Sequence, residues 1–161
     1  MDPLFQASWE LRELTISYRI PAAVADAAQA YARTARLPVS RLSAARDLDD
    51  ATAATRAADP VAASARIARD HAARFADGEG GLVAVIAPAE LRGALRAALD
   101  GTGVEVHTAR ESKGLEFDVA VVVEPARIAE RPGDLYVALT RPTRRLEVVH
   151  AEDLPAGLSL G

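Results

Sequence analysis

Three short segments of this 161-residue chain bring together side chains that suit recognition of a nucleotide. In Ser17-Tyr18-Arg19-Ile20-Pro21, the tyrosine can offer its ring face to a base, and the adjacent arginine can reach a phosphate with its planar fork. A half-buried tyrosine beside a solvated arginine would read the same way. In the run ESKGLEFD, Gly114 lets the backbone pass close to another group, and Lys113 supplies a point charge for a phosphate or a carboxylate. Glu116 can accept two ribose hydroxyls, and Phe117 packs as the chain turns into the next strand. The bland counterpart is a surface loop of solvated charges. In DLYVALTRPTRRL, Thr140-Arg141 closes a helical turn that Pro142 prevents from continuing. An arginine held so firmly suits a finger that reaches a phosphoryl group across a cleft, or else an arginine in a helix-capping network.

These segments need a frame to hold them. Leu11 to Ser17 alternates enough for a strand, and Pro21 opens an alanine-rich helix with proline at its first turn. Arg36 to Asp59 is the least periodic stretch; its VSRL reads as a short strand and the rest as a loop. Asp59-Pro60 is a helix start, followed by Val61, Ala65, Ala68, Ala72 and Phe75 at helical spacing. Leu82 to Ala87 is a continuous apolar run, the mark of a buried parallel strand. Pro88 starts a helix with Leu91, Leu95, Ala98 and Leu99 on one face, and Gly101 ends it. Val104 to Thr108, Val119 to Val123 and Leu146 to His150 complete the strands, with a short helix over Gly133 to Leu139. Strands alternating with helices, the central ones apolar on both faces, predict an α/β domain with a mostly parallel sheet and helices on both sides. In such sheets function sits at the carboxyl ends of the strands, and all three segments are expected at such junctions.

Composition narrows the chemistry. Half the residues are apolar, which suits one domain with a core. There is no cysteine, so neither disulfides nor a cysteine-ligated zinc site can form. No apolar run approaches membrane-spanning length, and the first residues do not read as a signal peptide, so the expected compartment is the cytoplasm without membrane partners. The net charge of -4 and isoelectric point near 5.4 do not suit a broad basic grip on nucleic acid. Lys113 is the only lysine, and it is followed by glycine; the Gly-Lys-Ser/Thr of a phosphate-cradling P-loop is therefore absent. His71, His107 and His150 lack a nucleophile or metal partner in the sequence and read as surface or strand-edge residues.

In order and style, SYR, KGLEFD and YVALTR resemble motifs IV, V and VI of superfamily 1 helicases of the UvrD/Rep/PcrA kind. The resemblance is strong from Glu105 to about Asp153 and fair over Leu11 to Ala35; between these it is architectural. It implies that residues 1–153 are a single RecA-like domain, the second or "2A" half of such a motor, lacking the P-loop, with 154–161 as a loose tail. The resemblance assigns Tyr18 to adenine, Arg19 to the γ-phosphate, and Glu116 to the ribose, with Lys113 and Gly114 shaping that loop. Arg141 would be the arginine finger, catalytic together with Arg19. Thr108 and Arg110 would lie toward the nucleic-acid path. Mg-ATP would be held by the N-terminal P-loop (1A) domain of the same full-length chain, and by itself this chain would bind no cofactor tightly and hydrolyse nothing. MDPLFQASW would then preserve the linker after motif III. Glu124, at the end of VAVVVEP, imitates a metal-binding acid but follows motif V and is expected not to hold magnesium.

Several positions depart from the translocating helicases. Arg110 stands where histidine is usual, Ser17 where asparagine is usual, and Pro88 where an arginine commonly engages single-stranded DNA. No large insertion separates motifs IV and V, so the "2B" subdomain is absent. The ending EPARIAERPGDLYVALTRPTRRLEVVH is similar to the helicase-like proteins that recycle bacterial RNA polymerase, the HelD group. The partners implied are thus DNA, RNA polymerase, or both. The competing readings are a remodelling ATPase without unwinding activity, a protein-binding module derived from a helicase domain, and an unrelated small α/β enzyme.

Overall fold

Alternate residues of the central strands feed two separate hydrophobic clusters, and that alternation decides the architecture. A computed structural model of the chain describes residues 20–40, 42, 47–78 and 80–160. The expected strand over Leu11 to Ser17, together with Tyr18 and Arg19, lies outside these residues. The described elements run α1 (Ala22–Thr34), β1 (Thr52–Arg56), α2 (Pro60–Ala76), β2 (Val83–Ile86), α3 (Ala89–Ala98), β3 (Glu105–His107), β4 (Phe117–Val123), α4 (Pro125–Ile128), α5 (Pro132–Leu139) and β5 (Pro142–His150). Among the described residues, five strands form one sheet in the order β1-β5-β4-β2-β3, and every pairing is parallel.

Ala84, Ile86, Ala120, Val122, Leu146 and Val148 face α1 and α5, where they meet Val24, Ala28, Tyr31, Leu135 and Leu139. Val83, Val85, Val119, Val121, Val123 and Val149 face the other way, onto Ala65 and Ala68 of α2 and Leu95 of α3. A parallel sheet must be covered on both faces, because its crossover connections put helices there. The helices start where the chain chemistry says they should. Asp59 caps α2 by accepting from the Ala62 amide at 3.1 Å, with Pro60 in the first turn, and Pro21 and Pro88 lead into α1 and α3.

Two expectations for the 36–59 region are corrected. Of the VSRL stretch, residues 39, 40 and 42 are described and none is in a strand. The Gln29 side chain instead satisfies both backbone groups of Leu42, accepting from its N–H at 3.2 Å and donating to its carbonyl at 3.3 Å. The strand of this region is β1, ten residues further on, pairing with β5 from Thr52 against Leu146 to Arg56 against His150.

The last described residues are in contact with the domain. Leu158 is only 5% exposed in the α1/α5 cluster, and Leu154 and Leu160 pack against it. Gly157 makes this docking possible. Its φ is +89°, and a Cβ there would lie 2.4 Å from the Thr34 side chain at the end of α1. Gly157→Ala is therefore expected to destabilise the chain by about 1–3 kcal/mol, the usual cost of forcing an extra carbon into a packed site. Urea unfolding reads this directly, and an unchanged midpoint would mean that the tail is not seated on α1.

Candidate functional site

The connection from β3 to β4 carries most of the residues that resemble motif V and crosses the sheet from end to end. His107 is level with Ile86, and Ile86 with Val122, whereas β4 begins at Phe117. The chain therefore travels from the carboxyl end of β3 to the amino end of β4. It starts in a reciprocal cap: the Thr108 N–H donates to the Glu111 carboxylate at 2.8 Å, and the Glu111 N–H donates to the Thr108 hydroxyl at 3.3 Å. The bond from the Thr108 amide, then one from Arg92, holds the Glu111 carboxyl down to about 2. This Thr-x-x-Glu box was available in the sequence as a helix-start signature. Ala109 is buried against the α1/α5 cluster, and the Ser112 hydroxyl, fully buried, donates to the Ala109 carbonyl at 2.7 Å. A turn then ends at Gly114, whose φ of +80° is left-handed backbone that favours glycine.

Lys113, Gly114 and Glu116 consequently lie at the amino end of β4, not at a carboxyl end as expected from the general rule for such sheets. Arg141 lies beside them at the amino end of β5, for the same reason: each segment directly precedes its strand. The Phe117 N–H donates to the Arg141 carbonyl at 3.1 Å, so the two strand starts are hydrogen-bonded to each other. Lys113 is exposed and Glu116 half-buried.

Arg141 is anchored within its own domain. Helix α5 ends at Leu139, Thr140 is its C-cap, and β5 begins at Pro142. The Arg141 Nε donates to the Val137 carbonyl at 2.9 Å, Nη1 to the Leu115 carbonyl at 3.1 Å, and Nη2 to the Thr140 hydroxyl at 3.1 Å. The helix-capping alternative is thus realised, and it coexists with donors to spare, since a guanidinium has five N–H groups. Burial pushes the Arg141 pKa below its ordinary value, opposed by the charges of Glu116 and Tyr136 nearby. Residue type alone does not disclose the Leu115 carbonyl or the Thr140 hydroxyl, because one is backbone and the other passes for a helix-end filler.

Thr108 and Arg110 sit at the opposite, carboxyl end. They line a cleft of about 330 Å³ with Pro88, Glu90, Arg127 and Asp134. Its position has a topological origin: β2 leads outward to β3 and β4 leads the other way to β5, so neighbouring strands part company there. Two of its three arginines are engaged internally. Arg110 pairs with Asp134 at 3.8 Å, and Arg127 pairs with Glu152 at 2.8 Å, Glu90 at 3.5 Å and Glu124 at 3.8 Å. Glu124 is 2% exposed and left-handed at φ 49°, and its carboxylate accepts from the amides of Ala151 at 2.6 Å and Glu152 at 3.3 Å. That acid closes the end of β5 and has a structural task. Among the described residues no group of three or more His, Cys, Asp or Glu is placed to hold a metal ion.

One histidine is not where the sequence put it. His71, on α2, is 7% exposed, and its Nε2 lies 2.7 Å from Oε2 of Glu147, itself 6% exposed on the same face of the sheet. Arg145 donates to the same Glu147 oxygen at 2.9 Å and also to the Asp50 carbonyl. Burial alone would raise the Glu147 pKa, but the bonds from His71 and Arg145 outweigh it and hold it below the usual carboxylate value. His107 stacks on Phe117 with ring centroids 5.7 Å apart, and His150 lies at the end of β5.

No family model matches the chain. No curated protein matches it. Among solved structures it is similar to the C-terminal domain of a possible DNA helicase from Lactobacillus plantarum WCFS1, with 20% identity over 89% of this chain and 92% of that one and a TM-score of 0.60. At that identity the likeness is one of fold. It supports the α/β architecture, a parallel sheet covered by helices, over most of the chain. None of its described helices is long and apolar enough to cross a membrane.

Proposed function

We propose that this chain is the 2A half of a superfamily 1 helicase-type ATPase, supplying one wall of an ATP site whose other wall is a P-loop domain. The observation that carries the reading is the bond from Arg141 Nη1 to the Leu115 carbonyl, which makes one site of the two segments that resemble motifs V and VI. Glu116 offers a carboxylate for the ribose hydroxyls, Lys113 and Gly114 shape that loop, and the spare donors of Arg141 face transferring phosphoryl oxygens. Tyr18 and Arg19 add the base and phosphate contacts that the resemblance assigns them. Glu124 is spent on backbone amides, and in this reading the metal is held by the P-loop wall. Magnesium there would neutralise phosphate charge, while this domain orients and stabilises.

The experiment is to measure ATP hydrolysis by the chain alone and together with a P-loop domain, in one polypeptide or as a second chain. Turnover is expected only with the P-loop domain present. Robust hydrolysis by the chain alone would overturn the split-site reading.

A polymerase-remodelling role without unwinding is a second reading, favoured by the carboxyl-end cleft. There Arg110 and Arg127 are paired with the domain's own carboxylates, and Pro88 occupies a position where the translocases it resembles carry a cation. DNA, RNA polymerase or both would be the partner of that face, and the expected setting is the cytoplasm.

A further inference from the structure

Arg141 has to meet two opposed requirements: its side chain must be fixed, and part of its fork must remain available. The hydrogen bonds show how both are met. Nε is taken by the last turn of α5 and Nη1 by the Leu115 carbonyl. Nη2 is taken by Thr140 Oγ1, which also lies 3.1 Å from the Tyr136 carbonyl and 3.0 Å from the Val137 carbonyl. A hydroxyl has one proton and two lone pairs. With carbonyls able only to accept, the Thr140 proton goes back to α5, and its lone pair receives the arginine. Thr140 is 7% exposed, so little water competes for these bonds.

We infer that Thr140 is a positioning residue for Arg141, forming with the Leu115 carbonyl a clamp that sets where the guanidinium points. The inference rests on the role proposed for Arg141 above. It deepens that role by making the arginine's aim depend on two elements at once. The hydroxyl ties it to the end of α5. The carbonyl ties it to the loop that carries Gly114 and Glu116, so movement of that loop on nucleotide binding would be felt at the finger. Thr140 touches no reacting atom itself.

The test uses the full-length protein that joins this chain to its P-loop domain, comparing Thr140→Val, Thr140→Ser and Arg141→Ala. Valine keeps the branched shape and removes the acceptor. The loss of one charge-assisted bond predicts a fall in kcat of about tenfold or more for Thr140→Val, with KM for ATP changed less than about twofold. Thr140→Ser keeps the oxygen and is expected near the parent rate. In the 161-residue chain, NMR of the Arg141 Nε–H should show faster exchange with water in Thr140→Val than in Thr140→Ser, a readout that does not need turnover. If Thr140→Val unfolds too readily to assay, Thr140→Ala carries the same comparison. An unchanged kcat in Thr140→Val beside a dead Arg141→Ala would overturn the positioning role alone, as would equal losses in valine and serine. Full turnover in Arg141→Ala would instead overturn the reading beneath it.

Discussion

On the split-site reading proposed above, replacing Arg141 by alanine in a polypeptide that pairs this chain with a P-loop domain is expected to reduce ATP turnover by about 10³–10⁵-fold, the range that an arginine finger supplies. ATP binding should weaken far less, because that reading gives most of the phosphate contacts to the P-loop wall. The size of the effect follows from where charge develops. In a loose phosphoryl-transfer transition state it spreads over the equatorial oxygens, and a fixed guanidinium meets it without reorganising. Fixing is visible here in three bonds from Arg141 to Val137, Leu115 and Thr140. Lysine should rescue poorly, since an ammonium cannot hold those three acceptors and face a ligand at once. Single-turnover and equilibrium nucleotide-binding measurements separate the two effects. Equal losses in affinity and rate would make Arg141 a ground-state contact, and survival of turnover would end its claim to the chemistry.

The second large effect concerns stability. Glu147→Ala is expected to cost about 3–5 kcal/mol, the usual penalty for breaking a buried ion pair by removing one partner. Both His71 and Arg145 would lose their acceptor, and Arg145 would hold the Asp50 carbonyl less firmly. Glu147→Gln should cost less, since an amide oxygen still accepts. The sign of the pH dependence follows from the lowered pKa. The folded state binds the Glu147 proton more weakly than the unfolded chain does, so the stabilisation is complete above the ordinary carboxylate value of 4.5 and is lost as pH falls from there through the lower folded value. Urea midpoints between neutral and acid pH should therefore fall less steeply in Glu147→Gln than in the parent chain. Parallel curves would show that Glu147 carries no such charge in the fold.

The parts of this molecule that could be read from the sequence are those whose physics is local. LVAVIA and VAVVV declare buried strands because both faces of a central parallel strand are apolar, and Asp59-Pro60 declares a helix start because capping is a short-range bond. β1 was hidden because TAATR is an edge strand, half-exposed and built on alanine and threonine, with its identity set by β5 nearly a hundred residues away. The false strand near Leu42 failed because a side-chain amide met its backbone instead. The candidate site divides in the same way. Lys113, Gly114, Glu116 and Arg141 could be selected by residue type and order. Their location at the amino ends of the strands was legible too, since each segment directly precedes its strand; what could not be read is that the loop and Arg141 would be joined through the Leu115 carbonyl. Nor could His71 and Glu147, separated by seventy-six residues, announce that they would meet.

That connection has a mechanical meaning. β3 ends level with Val122, five residues above the start of β4, a drop of roughly 16 Å at strand rise. Its upper end is locked by the Thr108–Glu111 box and its lower end by Leu115 and Arg141, with the middle seated on the core through Ala109 and Ser112. A segment pinned at both ends and along its length behaves as a pushrod rather than a slack cord. A displacement imposed at the Thr108–Arg110 end is therefore expected to be felt by the arginine at the other.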